Sequence, residues 1–180
     1  MKATGIVRRI DDLGRVVIPK EIRRTMRIRE GDPLEIYTDK DGGVIFKKYS
    51  LMGGLVDFAG QLCETLNRTV GRVTVITDRD NCIATAGAPR RELMDKAVSP
   101  EVERLMEGRQ IYQHKAGEEP IPLCAGEEKF ALSTAAPILS EGDVLGCVIF
   151  VGQGEDLNGG EVEYKLAQSI AAFLGRHMEG

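Results

Sequence analysis

Short apolar runs separated by turn sequences make up the first fifty residues of the chain. The runs at residues 5–10 and 15–18 flank the sequence Asp-Asp-Leu-Gly, which favours a turn, and they predict two short strands. Pro19 ends the second strand because it has no N–H group for a ladder hydrogen bond. Residues 20–26 then predict one or two helical turns, with apolar positions four residues apart.

Two further apolar runs, at residues 34–38 and 44–48, flank a polar loop that contains glycine and predict a β-hairpin. We therefore expect the first part of the chain to be mainly β. Four short strands and a helical turn bury little surface, and domains this small commonly need a metal, disulfides or a partner chain. The sequence suggests neither of the first two, so we expect dimerisation to stabilise this part of the chain.

The pattern changes after residue 54. Apolar residues recur three and four positions apart over residues 55–70 and 161–178, which predicts an amphipathic helix at each end of this second part. Between them the pattern predicts five strands and two shorter helices: the strands at 73–77, 82–86, 111–114, 130–139 and 144–151, and the helices at 89–96 and 99–108. This order of elements is typical of an α+β domain, in which helices pack on a mostly antiparallel sheet.

The charges are unevenly distributed along a chain of 180 residues whose net charge is −4. Residues 1–50 carry twelve Lys and Arg against eight Asp and Glu, whereas the rest of the chain carries twelve against twenty. We therefore predict two modules, residues 1–50 and 55–180, joined by a soft linker at residues 51–54. A concentrated positive charge of this kind attracts a phosphate backbone, although a solvated surface can carry the same residues.

Several functional classes find no support in the sequence. No run approaches the ~20 apolar residues of a membrane helix, and the N-terminus lacks the apolar core of a signal peptide, so we expect a cytosolic protein. The four cysteines lie far apart, which favours buried, reduced thiols over a zinc site or a disulfide framework. Residues 152–160 are rich in glycine but lack the pattern of a nucleotide-binding loop, and no nucleophile signature is present. We expect no enzymatic activity, no cofactor and no metal.

The sequence GRVVIP followed by EIRR, within residues 4–49, resembles the swapped-hairpin DNA-binding domain of the AbrB-like transition-state regulators. This resemblance implies a homodimeric barrel of exchanged hairpins, with double-stranded DNA as its partner. It also implies that arginines on the loops and short helices face the DNA. At the matching positions these are Arg8, Arg15, Arg23 and Arg24, with Arg9 as an additional candidate.

The individual roles of these arginines stay open at this point. Arg8 and Arg9 are neighbours on a predicted strand and point to opposite faces, so only one of them reaches the duplex unless the strand bends. A guanidinium on the short helix can bind a phosphate or a guanine edge with two hydrogen bonds. For any single arginine the alternative is a surface salt bridge with Asp11, Asp12 or Glu21.

The order of elements in residues 55–180 resembles a GAF-like sensor domain, which implies a pocket for an unidentified small-molecule effector. The apolar stripes of the two end helices either cover the domain's own sheet or pair with copies from another chain. If they pair, the two different dimer contacts of each chain generate a homotetramer. The combination of both modules resembles sporulation regulators and implies a role in late endospore formation.

The sequence therefore predicts a cytoplasmic, nucleoid-associated transcription regulator that binds DNA through its first module and oligomerises through its second. The alternative is a metabolite-binding sensor or enzyme in which the basic module only dimerises the chain. Binding to random duplex DNA at low salt separates the two hypotheses, because the alternative predicts no binding.

Overall fold

The computed structural model describes residues 4–154 and 156–178. The chain forms two compact units, of which the first ends at Tyr49 and the second begins at Ser50. The first unit contains the short helix α1 (Lys20–Thr25) and the antiparallel hairpin of β1 (Leu34–Thr38) and β2 (Val44–Lys48). The predicted hairpin is confirmed.

The strands predicted at residues 5–10 and 15–18 are absent from the described part of the first unit. A strand needs a neighbour for its N–H and C=O groups, and the single chain supplies none to these two segments. Most of their apolar side chains stay exposed, with Val7 at 89% and Val17 at 71% of full exposure. One chain therefore does not close the predicted barrel by itself.

The second unit is an α+β domain, as predicted. Its elements are α2 (Val56–Val70), β3 (Val73–Asp78), β4 (Cys82–Ala86), α3 (Arg90–Leu93), α4 (Pro100–Gly108), β5 (Tyr112–Gln113), β6 (Ala131–Ser140), β7 (Asp143–Gly152) and α5 (Glu161–His177). The five strands form one antiparallel sheet in the order β4-β3-β7-β6-β5. Ser99 caps α4, because the Val102 N–H donates to Ser99 Oγ at 3.1 Å.

Helices cover both faces of this sheet. On one face α2 and α5 pack against residues such as Ile76 and Phe150. On the other face α3 and α4 pack against the neighbouring residues of the same strands, Val75 and Ile149. Consecutive residues of a strand point to opposite faces, so a sheet buried on both sides needs unbroken apolar strands. The buried run of β7 meets this requirement.

Helix α5 lies close to β6. A Cβ atom on Gly175 would stand 2.0 Å from the Leu139 carbonyl oxygen, so only glycine permits this approach. Ala167, Ala171 and Leu174 are buried against the sheet. The other side of the same helix leaves Val162 and Phe173 exposed, at 60% and 48%.

The segment predicted as a soft linker belongs to the second unit. Leu51–Leu55 forms a 3₁₀ helix, and Met52 is completely buried in the core beneath α2 and α5. The Ser50 hydroxyl donates to Oδ2 of Asp78, the last residue of β3, at 3.0 Å. Two consecutive glycines suggested flexibility, but burial of Met52 holds the segment in a helical conformation.

The four thiols are free and buried, which confirms that prediction. Burial raises the pKa of the Cys63 thiol to about 12 and also raises that of Cys147. These thiols are therefore protonated at neutral pH.

Candidate nucleic-acid interface

A tight turn over residues 11–15 presents Arg15. The Asp11 N–H donates to the Arg15 carbonyl and the Gly14 N–H donates to the Asp11 carbonyl, both at 3.0 Å. Gly14 adopts a φ of 75°, a left-handed conformation that favours glycine. The Arg15 side chain is 70% exposed, and its Nε donates to Asp11 Oδ2 at 2.8 Å. The alternative of a salt bridge is therefore realised for this arginine.

The short helix α1 carries the next two candidates. Pro19 precedes the helix, and its carbonyl accepts the Arg23 N–H at 3.0 Å. Arg24 is exposed. Arg23 is half-buried, and its Nε has no hydrogen-bond partner among the described residues. This Nε is also buried, and buried donors in native proteins normally have a hydrogen-bond partner, which the single chain does not supply here.

Arg8 and Arg9 lie on the exposed segment before the turn, and both are exposed. Within residues 4–154 and 156–178 neither of them forms an ion pair with Asp12 or Glu21. The structure thus places the five arginines on three consecutive stretches of the first unit: the exposed segment before the turn, the turn and α1.

Asp32 connects the end of the α1 region to the hairpin. Its Oδ2 accepts the Arg29 N–H at 2.8 Å and lies 3.5 Å from Lys48 Nζ on β2. The same ammonium group donates to the Arg27 carbonyl at 2.7 Å. The contact with Lys48 joins residues sixteen positions apart, so the local sequence pattern does not indicate it.

Among the described residues, the second unit has few polar groups arranged as a candidate catalytic or metal-binding site. The Tyr112 hydroxyl lies 3.1 Å from Nδ1 of the nearly buried His114. In this part of the chain no three His, Cys, Asp or Glu side chains form a group that could hold a metal ion. The described helices include none that is long and apolar enough to cross a membrane.

Family models match both parts of the chain. Residues 54–179 match the model described as stage V sporulation protein T C-terminal, transcription factor. Residues 7–51 match the model described as antidote-toxin recognition MazE, bacterial antitoxin. Stage V sporulation protein T of Bacillus subtilis strain 168 is 47% identical over 180 residues, which cover 99% of each chain. The chain belongs to the stage V sporulation protein T family. The prediction of a transcription regulator is confirmed by this membership.

Solved structures resemble each unit of this family member separately. The N-terminal DNA recognition domain of the Bacillus subtilis transition-state regulator AbrB is 63% identical, covers 27% of this chain and 91% of its own, and has a TM-score of 0.24. The type II free methionine-R-sulfoxide reductase of Thermoplasma acidophilum has a TM-score of 0.51 at 12% identity, covering 69% of this chain and 94% of its own. The second likeness shows a shared fold alone. The predicted α+β architecture of the second unit, with helices on an antiparallel sheet, is confirmed.

Proposed function

We propose that the chain binds double-stranded DNA through its first unit and regulates transcription of genes in late endospore formation. The observation that supports this most strongly is the placement of Arg15, Arg23 and Arg24 on an exposed turn and a short helix. The GRVVIP and EIRR sequences that place them lie within the AbrB-like part of the chain. We place this protein in the cytoplasm, at the nucleoid, and assign it no catalytic role.

The exposed arginines of the proposed interface have donors available for DNA. Arg15 uses only its Nε in the described structure, so its two terminal nitrogens can bind one phosphate bidentately. Arg24 projects into solvent beside Arg23. Arg8 and Arg9 are exposed neighbours, and one of the two reaches the duplex if the segment becomes a strand.

Dimerisation through the first unit explains its exposed apolar surface. Large apolar side chains on the two unpaired segments, on the turn between them and on the hairpin are exposed: Val7, Ile10, Leu13, Val17, Ile36, Val44 and Phe46. A second copy would supply strand neighbours for the unpaired segments and bury these side chains. We therefore propose an exchanged-hairpin homodimer that completes the barrel.

A fragment that ends at Tyr49 is expected to fold only as a dimer. Its melting temperature should rise with protein concentration, because association stabilises only the folded state. Thermal denaturation over a hundredfold range of concentration, with sedimentation for the mass, measures this. A melting temperature independent of concentration, together with a monomeric mass, would refute the prediction.

A second dimer contact is proposed on α2 and α5. The rings of Phe58, Phe173 and His177 lie 5.7 to 6.1 Å apart at the surface between these helices. Ala167 and Ala171 of α5 pack on the helix's own sheet. One side of α5 therefore packs on the sheet of its own unit, and the other side leaves Phe173 exposed. Pairing of these exposed sides would join two dimers into a homotetramer.

Binding of random duplex DNA at low salt tests the proposed function directly. The full-length chain is expected to shift the duplex in a gel, with affinity falling linearly on a log–log plot as salt increases. The second unit is proposed to oligomerise the protein and to bind an unidentified small-molecule effector. A metabolite-binding sensor or enzyme with a purely dimerising first unit predicts no shift, so absence of a shift at low salt would overturn the proposal.

A further inference from the structure

The Asp11 carboxylate accepts three hydrogen bonds within the turn that carries Arg15. Its Oδ1 accepts the N–H groups of Leu13 at 3.0 Å and of Arg15 at 2.7 Å. Its Oδ2 accepts Arg15 Nε at 2.8 Å. The backbone and side-chain hydrogen bonds from Arg15 lower the pKa of the Asp11 carboxyl, so Asp11 is an anion at neutral pH.

These contacts hold the Arg15 side chain by one edge of its guanidinium. A free arginine on a surface samples many rotamers, and ordering it on binding costs conformational entropy. The bond from Nε to Asp11 restricts those rotamers and leaves the two terminal nitrogens for an external acceptor. The hydrogen bonds to Oδ1 fix the backbone from which the side chain extends.

We propose that Asp11 is a positioning residue for DNA binding, which aligns Arg15 with a backbone phosphate although its own charge repels that phosphate. This inference rests on the proposed function. Charge alone makes the opposite prediction, because removing a carboxylate from a DNA-binding surface strengthens binding to phosphates. The sign of the effect therefore separates positioning from charge.

Asp12 is a matched control for Asp11. It is the next residue in the same turn, carries the same charge and is exposed. Unlike Asp11, it has no hydrogen bond or ion pair within residues 4–154 and 156–178. Asp12→Ala is expected to leave the affinity of the full-length protein for duplex DNA unchanged or about twofold higher. Asp11→Ala is expected to lower it about tenfold.

The effect of Asp11 should depend on Arg15. In a double-mutant cycle, Asp11→Ala is expected to change affinity by less than about twofold once Arg15→Ala is present. The slope of log affinity against log salt should fall by about 0.9 in Asp11→Ala, as for loss of one phosphate contact. A purely structural role of the carboxylate would weaken binding equally in the Arg15→Ala background.

Asp11→Asn separates the loss of the charged partner of Arg15 from any disruption of the turn. The amide oxygen can still accept the two backbone N–H groups, but the anionic partner of Arg15 Nε is lost. We expect about threefold weaker binding with an unchanged melting temperature. If Asp11→Asn and Asp11→Ala bind duplex DNA as tightly as the unaltered protein, or more tightly, the inference is overturned while the proposed DNA binding stands. If the unaltered protein does not bind duplex DNA, the proposed function itself is overturned.

Discussion

Replacing both Arg23 and Arg24 by alanine is expected to weaken binding of duplex DNA by the full-length protein about a hundredfold. Hydrogen bonds to charged groups contribute roughly 1.5 kcal/mol or more each, so two lost contacts produce an effect of this size. The salt slope should fall by about 1.8, because each neutralised phosphate contributes about 0.9. Helix α1 buries no residue, so the substitution should leave the fold cooperative.

The second unit offers a matched control for this double variant. Arg90 and Arg91 are also consecutive and lie on a short helix, α3, where both are exposed. Replacing both by alanine removes the same charge from the chain without touching the proposed interface. Fluorescence anisotropy across a salt series should show a large loss of DNA affinity when Arg23 and Arg24 are replaced, and no such loss when Arg90 and Arg91 are replaced. If the slope of log affinity against log salt is unchanged after Arg23 and Arg24 are replaced, neither residue belongs to the DNA interface.

Phe173→Glu is expected to convert the full-length protein from a tetramer into a dimer. The phenylalanine is about half exposed and contacts Phe58 and His177 at the surface of α2 and α5. A carboxylate buried between paired helices would lack a partner, which opposes association strongly. Light scattering should give four times the 19.7 kDa chain mass for the unaltered protein and twice that mass for the variant.

Loss of the tetramer should also weaken DNA binding. In a tetramer the second barrel binds the same duplex at an effective local concentration, which raises avidity by ~10² or more where geometry allows. Phe173→Glu and the fragment ending at Tyr49 should both lose this gain. Gln168→Glu provides the control, since it adds the same charge at an exposed position on another side of α5. A dimeric unaltered protein at micromolar concentration would contradict the proposed second interface.

Elements that bury their apolar side chains within one chain were predictable from local pattern. Helices α2 and α5 begin and end within about one residue of the sequence prediction, and β6 and β7 agree equally closely. Their periodicity records a face packed on a neighbour in the same unit. The arginines of the candidate interface could also be predicted from the sequence, because GRVVIP and EIRR are short contiguous motifs.

The structure differs from the sequence prediction where contacts between residues distant in sequence determine the conformation. Helix α3 ends at Leu93 rather than near residue 96, because Asp95 adopts a φ of 60° and the following backbone pairs with Cys82. Burial of Met52 likewise makes the expected linker part of the second unit.

The first unit shows the same division between sequence and tertiary structure. The apolar runs at residues 5–10 and 15–18 are a property of the sequence, but whether they become strands depends on a neighbouring backbone that the single chain does not supply. The sequence also supplies Asp11 and Arg15. Only the folded turn, closed at Gly14, brings the carboxylate of one to the guanidinium of the other, because a hydrogen bond depends on distance and direction rather than on composition.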